Sequence, residues 1–377
     1  MTHGPGALRY LVADGWNLDE DTSPRWRQVL PQIVVAVWLP LCFAFASLNQ
    51  SLLPEKYFAD SKNLEGLALT ATGPSVDSFI TTAWIYRALG GLEYPVLTYL
   101  VTLALFFVLV FRCASWTDIS RFSLIETALF CFCGIEAAIY LAQYSKESLV
   151  VLVVLAFVVM PRSVWGDILF MVIACGYALM IRDYWFLIVV AYAAFRLLLR
   201  SGKPYRIPVF LIIAMLCMAF GTAVVLGVNL NSFREVVSQT NSLYAQTAII
   251  DYIPVAGPLG GALNALCTLV LLVVPIPLAV TGSPVYLAFA GVMALLWITL
   301  LTVVRRGMRN GWFVFDVRLA RAVSLLLAMV TVLAVFEPDY GSYIKHLTPV
   351  LPLFFFVLRA RRTHHTGNEL DRLERQS

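Results

Sequence analysis

Residues 95–111 read PVLTYLVTLALFFVLVF. Seventeen successive residues carry no charge, and Leu, Val and Phe dominate. A helix that crosses a bilayer core needs about 20 mostly apolar residues, within a range of about 17–25. Comparable runs lie at 29–48, 122–142, 148–164, 165–181, 184–199, 207–228, 260–281, 285–304, 319–336 and 347–358. The chain as a whole agrees: 377 residues, 60% hydrophobic and 13% charged, with a mean hydropathy of +0.80. Soluble domains run about 45–50% apolar and about 25% charged. A soluble globule, a disordered chain, a collagen-like repeat and a disulfide scaffold are therefore excluded. The expected fold is all-α: a polytopic membrane bundle of about 10 or 11 segments, with longer outer-face loops at 49–94 and 229–259.

Lys and Arg number 27 against 23 Asp and Glu. The excess sits in short loops, where it reports orientation rather than nucleic-acid binding. Arg112, Arg121, Arg162, the Arg196–Arg206 cluster, Arg305, Arg306, Arg309, Arg359, Arg361 and Arg362 all read as cytoplasmic. The outer face then receives 49–94, 144–147, 182–183, 229–259 and 337–346. One parity conflict follows. Three apolar runs separate Arg206 from Arg305, yet both flanks belong inside. The run 260–281 opens with Gly260-Gly261 and contains Pro275 and Pro277, so it is expected to be broken or re-entrant.

Residues 1–27 are polar, with an acidic group at Asp19-Glu20-Asp21 and no apolar core. They read as a cytoplasmic leader rather than a signal peptide, before one transmembrane domain over 28–360 and a cytoplasmic tail over 361–377. The seven cysteines have no zinc-type spacing, and Cys131 and Cys133 stand too close for a redox pair. All but Cys113 fall within apolar runs and read as small buried hydrophobes.

Charge inside or beside a membrane span is costly and marks function. Glu126 and Glu136 share one apolar run but lie on opposite helix faces. Lys146-Glu147, Arg182-Asp183 and Arg234-Glu235 sit beside apolar runs on the expected outer side. Residues 231–248 have the makings of a helix lying on the membrane surface. The first outer loop mixes Tyr57, Asp60, Asp77 and Trp84, residue types that suit sugar rings and their hydroxyls. The densest patch is Glu337–His346, EPDYGSYIKH. It holds two carboxylates, a lysine, and a histidine able to titrate near neutrality. No Walker A loop, nucleophile elbow or zinc-binding helix occurs.

The Glu337–His346 stretch resembles the PD-(aromatic or Leu)-GS-x-x-(R/K)-H segment of Wzy-type polymerases, which join O-antigen, capsule or exopolysaccharide repeat units. Tyr144–Glu147, Ile181–Trp185 and Glu55–Ser61 resemble further patches of such proteins, in a plausible order. The resemblance implies a GT-C-like, metal-independent glycosyltransferase of the bacterial inner membrane, without a cofactor. It implies that a sugar hydroxyl on one undecaprenyl-pyrophosphate-linked glycan attacks the anomeric carbon of another and the pyrophosphate carrier leaves. On this reading Arg182, Lys345, Lys146 and Arg234 neutralise pyrophosphate. His346, Asp339 or Asp60 takes the hydroxyl proton. Tyr57, Trp84, Tyr244, Tyr340 and Glu337 hold sugar. A chain-length regulator and a flippase are the implied protein partners, with membrane lipids around them. Three alternatives stay open: a GT-C-type polyprenyl-phosphate-sugar glycosyltransferase that adds one sugar, an O-antigen ligase, and a lipid-linked glycan flippase or transporter.

Overall fold

The computed structural model describes residues 25–235 and 247–363. Tyr244, residues 1–24, residues 364–377 and most of the expected surface helix over 231–248 lie outside them. Among the described residues the secondary structure is helical, apart from one isolated β-bridge between Ala248 and Asp339. The helices are α1 (Arg25–Leu52), α2 (Ala59–Ala68), α3 (Ser78–Ala88), α4 (Pro95–Cys113), α5 (Leu124–Tyr140) and α6 (Lys146–Val159). They continue with α7 (Val164–Met180), α8 (Trp185–Arg200), α9 (Arg206–Val225), α10 (Gly257–Val273) and α11 (Pro284–Arg309). The last are α12 (Val317–Phe336) and α13 (Tyr340–Leu347), then a 3-10 turn at Thr348–Leu353 and α14 over 354–363.

Six segments are long and apolar enough to cross a membrane: Val29–Leu52, Pro95–Cys113, Arg206–Val225, Pro284–Arg309, Val317–Phe336 and Tyr340–Thr363. The chain is a multi-pass helical membrane protein. Its helix starts are written in the sequence. Ser123 and Glu126 form a capping box at α5. Ser145 accepts from the Ser148 N–H at α6, and Asp316 from the Leu319 N–H at α12. Proline stands in the first turn of α4, α10 and α11. Each device satisfies or removes a backbone donor that the first turn leaves without a partner.

The core lies around α12, whose apolar window is 94% buried, against 22% for α1 and 17% for α9. Helix α8 packs along α12, and α1 along α5. The α1–α5 approach depends on Gly134, where an added Cβ would lie 2.9 Å from both Cys42 Sγ and Trp38 Nε1. Trp38 Nε1 then donates to the Cys131 carbonyl at 3.0 Å. Asn49 Nδ2 donates to the carbonyls of Ala138 (3.2 Å) and Ala142 (2.9 Å). Small residues and interhelical hydrogen bonds are how apolar helices associate without a hydrophobic driving force between them.

The contacts sort the turns into two ends. At one end Arg362 donates to the Arg121 carbonyl and pairs with Glu126, while Arg321 reaches Pro161 and Asp167. At the other end Lys345 meets Asp60 and Arg182 meets His346. The basic turns fall together, as the charge pattern predicts. The run 260–281 is indeed broken: α10 stops at Val273 and a single turn over Ile276–Ala279 follows Pro275. Phe289 of α11 meets Phe132 (6.4 Å), and Thr299 meets Arg361 near the basic end. Helix α11 therefore starts toward the site end and runs away from it. Helix α10 starts beside Asn229 and Leu230, just past the end of α9. Between Arg206 and Arg309 two helices, α9 and α11, are long and apolar enough to cross, the even number that the basic flanks call for.

One expectation fails. Cys113 is buried and Cys217 is exposed, the reverse of the sequence reading. Cys113 ends α4 against the core, whereas Cys217 lies on the outward face of α9. Apolar surroundings in sequence do not distinguish protein from lipid as the covering medium.

Candidate functional site

The site is built where α6, α8, α12 and α13 meet α2. The turn before α6 is held by Tyr86, whose hydroxyl donates to the Ser145 carbonyl (2.9 Å) and accepts from the Ser145 N–H (3.2 Å). This delivers Lys146 and Glu147 at the first turn of α6. Arg182 and Tyr184 come from the α7–α8 turn, Glu337 from the end of α12, and Lys345 and His346 from the last turn of α13. Asp339 caps α13 by accepting from the Ser342 N–H at 2.8 Å. Backbone bonds from Ile249 to Pro338 (2.8 Å) and from Tyr340 to Thr247 (3.2 Å) tie the segment before α10 to the same turn.

Glu147 is the hub. Its Oε1 pairs with Arg182 Nη2 and lies 3.0 Å from His346 Nε2, and its Oε2 lies 3.9 Å from Lys345 Nζ. Lys345 also donates to Asp60, and Arg182 Nη1 donates to the Tyr184 hydroxyl at 3.0 Å. His346 is gripped on both sides. Its Nδ1 faces Glu337, and its Nε2 lies 2.7 Å from Arg182 Nη1. Each ring nitrogen therefore has a carboxylate partner, Glu337 at Nδ1 and Glu147 at Nε2. Glu147 Oε2, Glu337 Oε2 and Arg182 Nε are buried and make no hydrogen bond.

Electrostatics follow from this geometry. Burial raises the Glu147 carboxyl, but Arg182 and Lys345 outweigh it and hold Glu147 well below the usual range. Burial also raises Asp60, and Lys345 again brings it below the ordinary carboxylate value. Arg182 is held charged, because Glu147 overcomes the desolvation that disfavours its cation. Lys146 goes the other way, lowered to about 8 by burial and by the neighbouring Arg182. Its ammonium donates to Ser78 Oγ (2.7 Å) and sits over the Phe79 ring at 3.4 Å, with no carboxylate in salt-bridge contact among the described residues. Three carboxylates (Asp60, Glu147, Glu337) thus balance three cations (Lys146, Arg182, Lys345), and a proton on His346 makes the cluster net positive.

Access is uneven. The Asp60 side chain is 48% exposed, against 16% for Lys345, 15% for Arg182, 13% for His346 and 2% for both Glu147 and Glu337. Asp60 is the member open to a substrate. His346 has both nitrogens engaged, and Asp339 is committed to its cap. Glu337 and Tyr340 are buried, which removes the open face a sugar contact needs. Tyr57 and Trp84 stay half-buried, and Tyr244 lies outside the described residues.

Arg234 belongs elsewhere. It is 3% exposed, pairs with Asp251 and donates to Thr268 Oγ1, while Asn231 Nδ2 donates to Asp251 at 2.6 Å. That group anchors Asn231, Arg234 and Asp251 to α10. A third ionic group lies at the basic end. Asp167 takes Arg196 Nη2 (2.8 Å), Arg321 Nε (3.1 Å) and the Tyr192 hydroxyl (2.6 Å). It occupies the opposite ends of α7, α8 and α12, about 21 Å along α8 from Arg182.

In comparisons with protein-family models, with curated proteins and with solved structures, nothing matches this chain.

The sequence reading brought Asp60, Lys146, Arg182, Glu337, Lys345 and His346 forward, and these converge. It assigned no role to Glu147, the hub. An acidic residue in a first helical turn reads as dipole complement or cap, so the role went to Lys146 although the Tyr144–Glu147 patch holds both.

Proposed function

We propose that the protein polymerises lipid-linked glycan repeats at the face carrying the Asp60–Glu147–Arg182–Lys345–His346 network, in a bacterial inner membrane. One observation carries the reading. The four stretches that resemble Wzy-type patches, 55–61, 144–147, 181–185 and 337–346, each place a charged side chain in a single connected network.

The roles follow from the chemistry. A sugar hydroxyl of the acceptor attacks the anomeric carbon of the donor. The anomeric carbon–oxygen bond to the polyprenyl pyrophosphate breaks, and the electron pair leaves with the pyrophosphate. Asp60, the half-exposed carboxylate, receives the hydroxyl proton. Lys146, 8% exposed and the cation without a carboxylate contact, adds its field to that of Arg182 and Lys345 against the developing phosphate charge. Glu147 orients those two cations, and His346 with Glu337 orients Glu147. Surface glycan from cells lacking the protein tests this: the ladder should collapse to single repeats, be restored by the wild-type gene, and not by Asp60→Asn.

A second reading is favoured by the same residue. A single-addition glycosyltransferase of the GT-C type uses an acidic residue of the first outer loop, and Asp60 fits that place. It differs in product: a ladder persisting with one sugar missing. The flippase reading has less support. Between the two ionic ends, Val154, Phe170, Ala174 and Ile188 are fully buried, so these helices offer no polar path from end to end.

A further inference from the structure

Helix α5 carries a stripe at every fourth residue that the proposed chemistry leaves unused: Phe132, Glu136 and Tyr140. Spacing of four puts the three on one face. Each is half-buried. The Tyr140 ring lies 6.2 Å from Tyr57, tilted by 52°, and the Phe132 ring lies 6.4 Å from Phe289 of α11, tilted by 51°. Glu136 stands between these two aromatic contacts and makes no hydrogen bond or ion pair among the described residues. The contrast within the helix is sharp, since Glu126 is both a capping residue and an ion-pair partner of Arg362. A carboxyl in an apolar helix without a partner is costly unless something uses it. Tyr57 is three residues from Asp60, so the stripe is continuous with the exposed edge of the ionic network.

We infer that Glu136, Tyr140 and Tyr57 form a sugar subsite, in which Glu136 accepts ring hydroxyls while the two tyrosines lie against the ring. The inference rests on the polymerase reading and adds to it a specificity element. Glu136 lies about 6 Å along the helix from Tyr140, recessed from the helix end. A ring that reaches it lies along the α5 face past Tyr140, so the subsite selects for hydroxyl pattern as well as for bulk. An aromatic cleft alone discriminates poorly between polar variants of one shape, whereas a buried group that must be hydrogen-bonded discriminates strongly.

The test uses the full chain in nanodiscs and two probes: polyprenyl pyrophosphate carrying one glycan repeat isolated from the producing cells, and bare polyprenyl pyrophosphate. Glu136→Leu should weaken binding of the glycan-bearing lipid by about tenfold or more and leave the bare lipid unchanged. Glu136→Gln, which keeps the shape and one acceptor, should fall between. Retained binding of the bare lipid also shows that the variants fold. Equal loss on both probes, or no loss on either, overturns the subsite. Wild-type protein that binds neither probe overturns the polymerase reading itself, and the subsite with it.

Discussion

Lys345 donates to Asp60 across 285 residues of sequence. The contact joins the short helix after the first span to the last turn of α13, and so closes the first outer segment onto the C-terminal patch. Asp60 remains 48% exposed in this pair, while Lys345 is 16% exposed. The pair thus presents one carboxylate outward and holds its cation within the network.

Asp60→Asn should leave single repeats on the cell surface at normal protein level, since an amide cannot take the acceptor proton. The rate loss expected for a missing general base is about 10²–10⁴-fold. Lys345→Arg keeps the charge and should retain most of the ladder. Gel analysis of surface glycan, normalised to protein level, checks both. A full ladder from Asp60→Asn would remove Asp60 from the chemistry.

Glu147→Gln should cost stability as well as product. Glu147 is 2% exposed and pairs with Arg182, and removing one partner of a buried pair costs about 3–5 kcal/mol because the other charge stays buried. Replacing both by leucine should cost less than the sum of Glu147→Leu and Arg182→Leu. Thermal unfolding of the four proteins in one detergent gives the cycle. Strict additivity would mean that the pair is not coupled.

Binding of bare polyprenyl pyrophosphate should weaken as pH rises through about 8. Burial and then Arg182 lower Lys146 from 10.5 to about 8, so its ammonium is present below that pH and lost above it. Because the folded value is the lower one, the same titration makes the folded state relatively more stable between about 8 and 10.5. Alkaline loss of binding therefore reports the site and not unfolding. Lys146→Arg should flatten the profile over this range. An unchanged profile in that variant would assign the titration to another group.

The ionic group at the basic end predicts the opposite separation. Asp167→Asn leaves Arg196 and Arg321 without their carboxylate, and should destabilise the protein by about 3–5 kcal/mol. Chain length per molecule of folded protein should not change, since this group lies at the other end of the helices. A stable Asp167→Asn protein with shortened chains would tie the two ends together functionally.

Much of the fold is legible from apolar runs, because a span must satisfy its backbone internally and must be about 20 residues long. The break at Pro275 and the capping serines are equally local. What hydropathy cannot distinguish is lipid from protein. Helices α9 and α12 have nearly the same mean hydropathy, 2.5 and 2.3, yet their windows are 17% and 94% buried. Cys217 is exposed on α9 for that reason, and Cys113, just past an apolar run, is buried by packing that the run does not show.

The site divides in the same way. Asp60, Arg182, Lys345 and His346 are conspicuous in sequence because charge beside an apolar run is expensive. Whether a charge is open or spent depends on partners that sequence does not place. Arg234 is consumed by Asp251, and Arg182 by Glu147 rather than by adjacent Asp183. The sequence by itself determined a multi-span helical membrane protein with charge concentrated in a few short segments, since that follows from transfer energies and helix length. Only the tertiary structure decided which of those charges pair and which carboxylate faces outward. Ion pairing falls off within a few ångströms, and that proximity is set by how the helices pack.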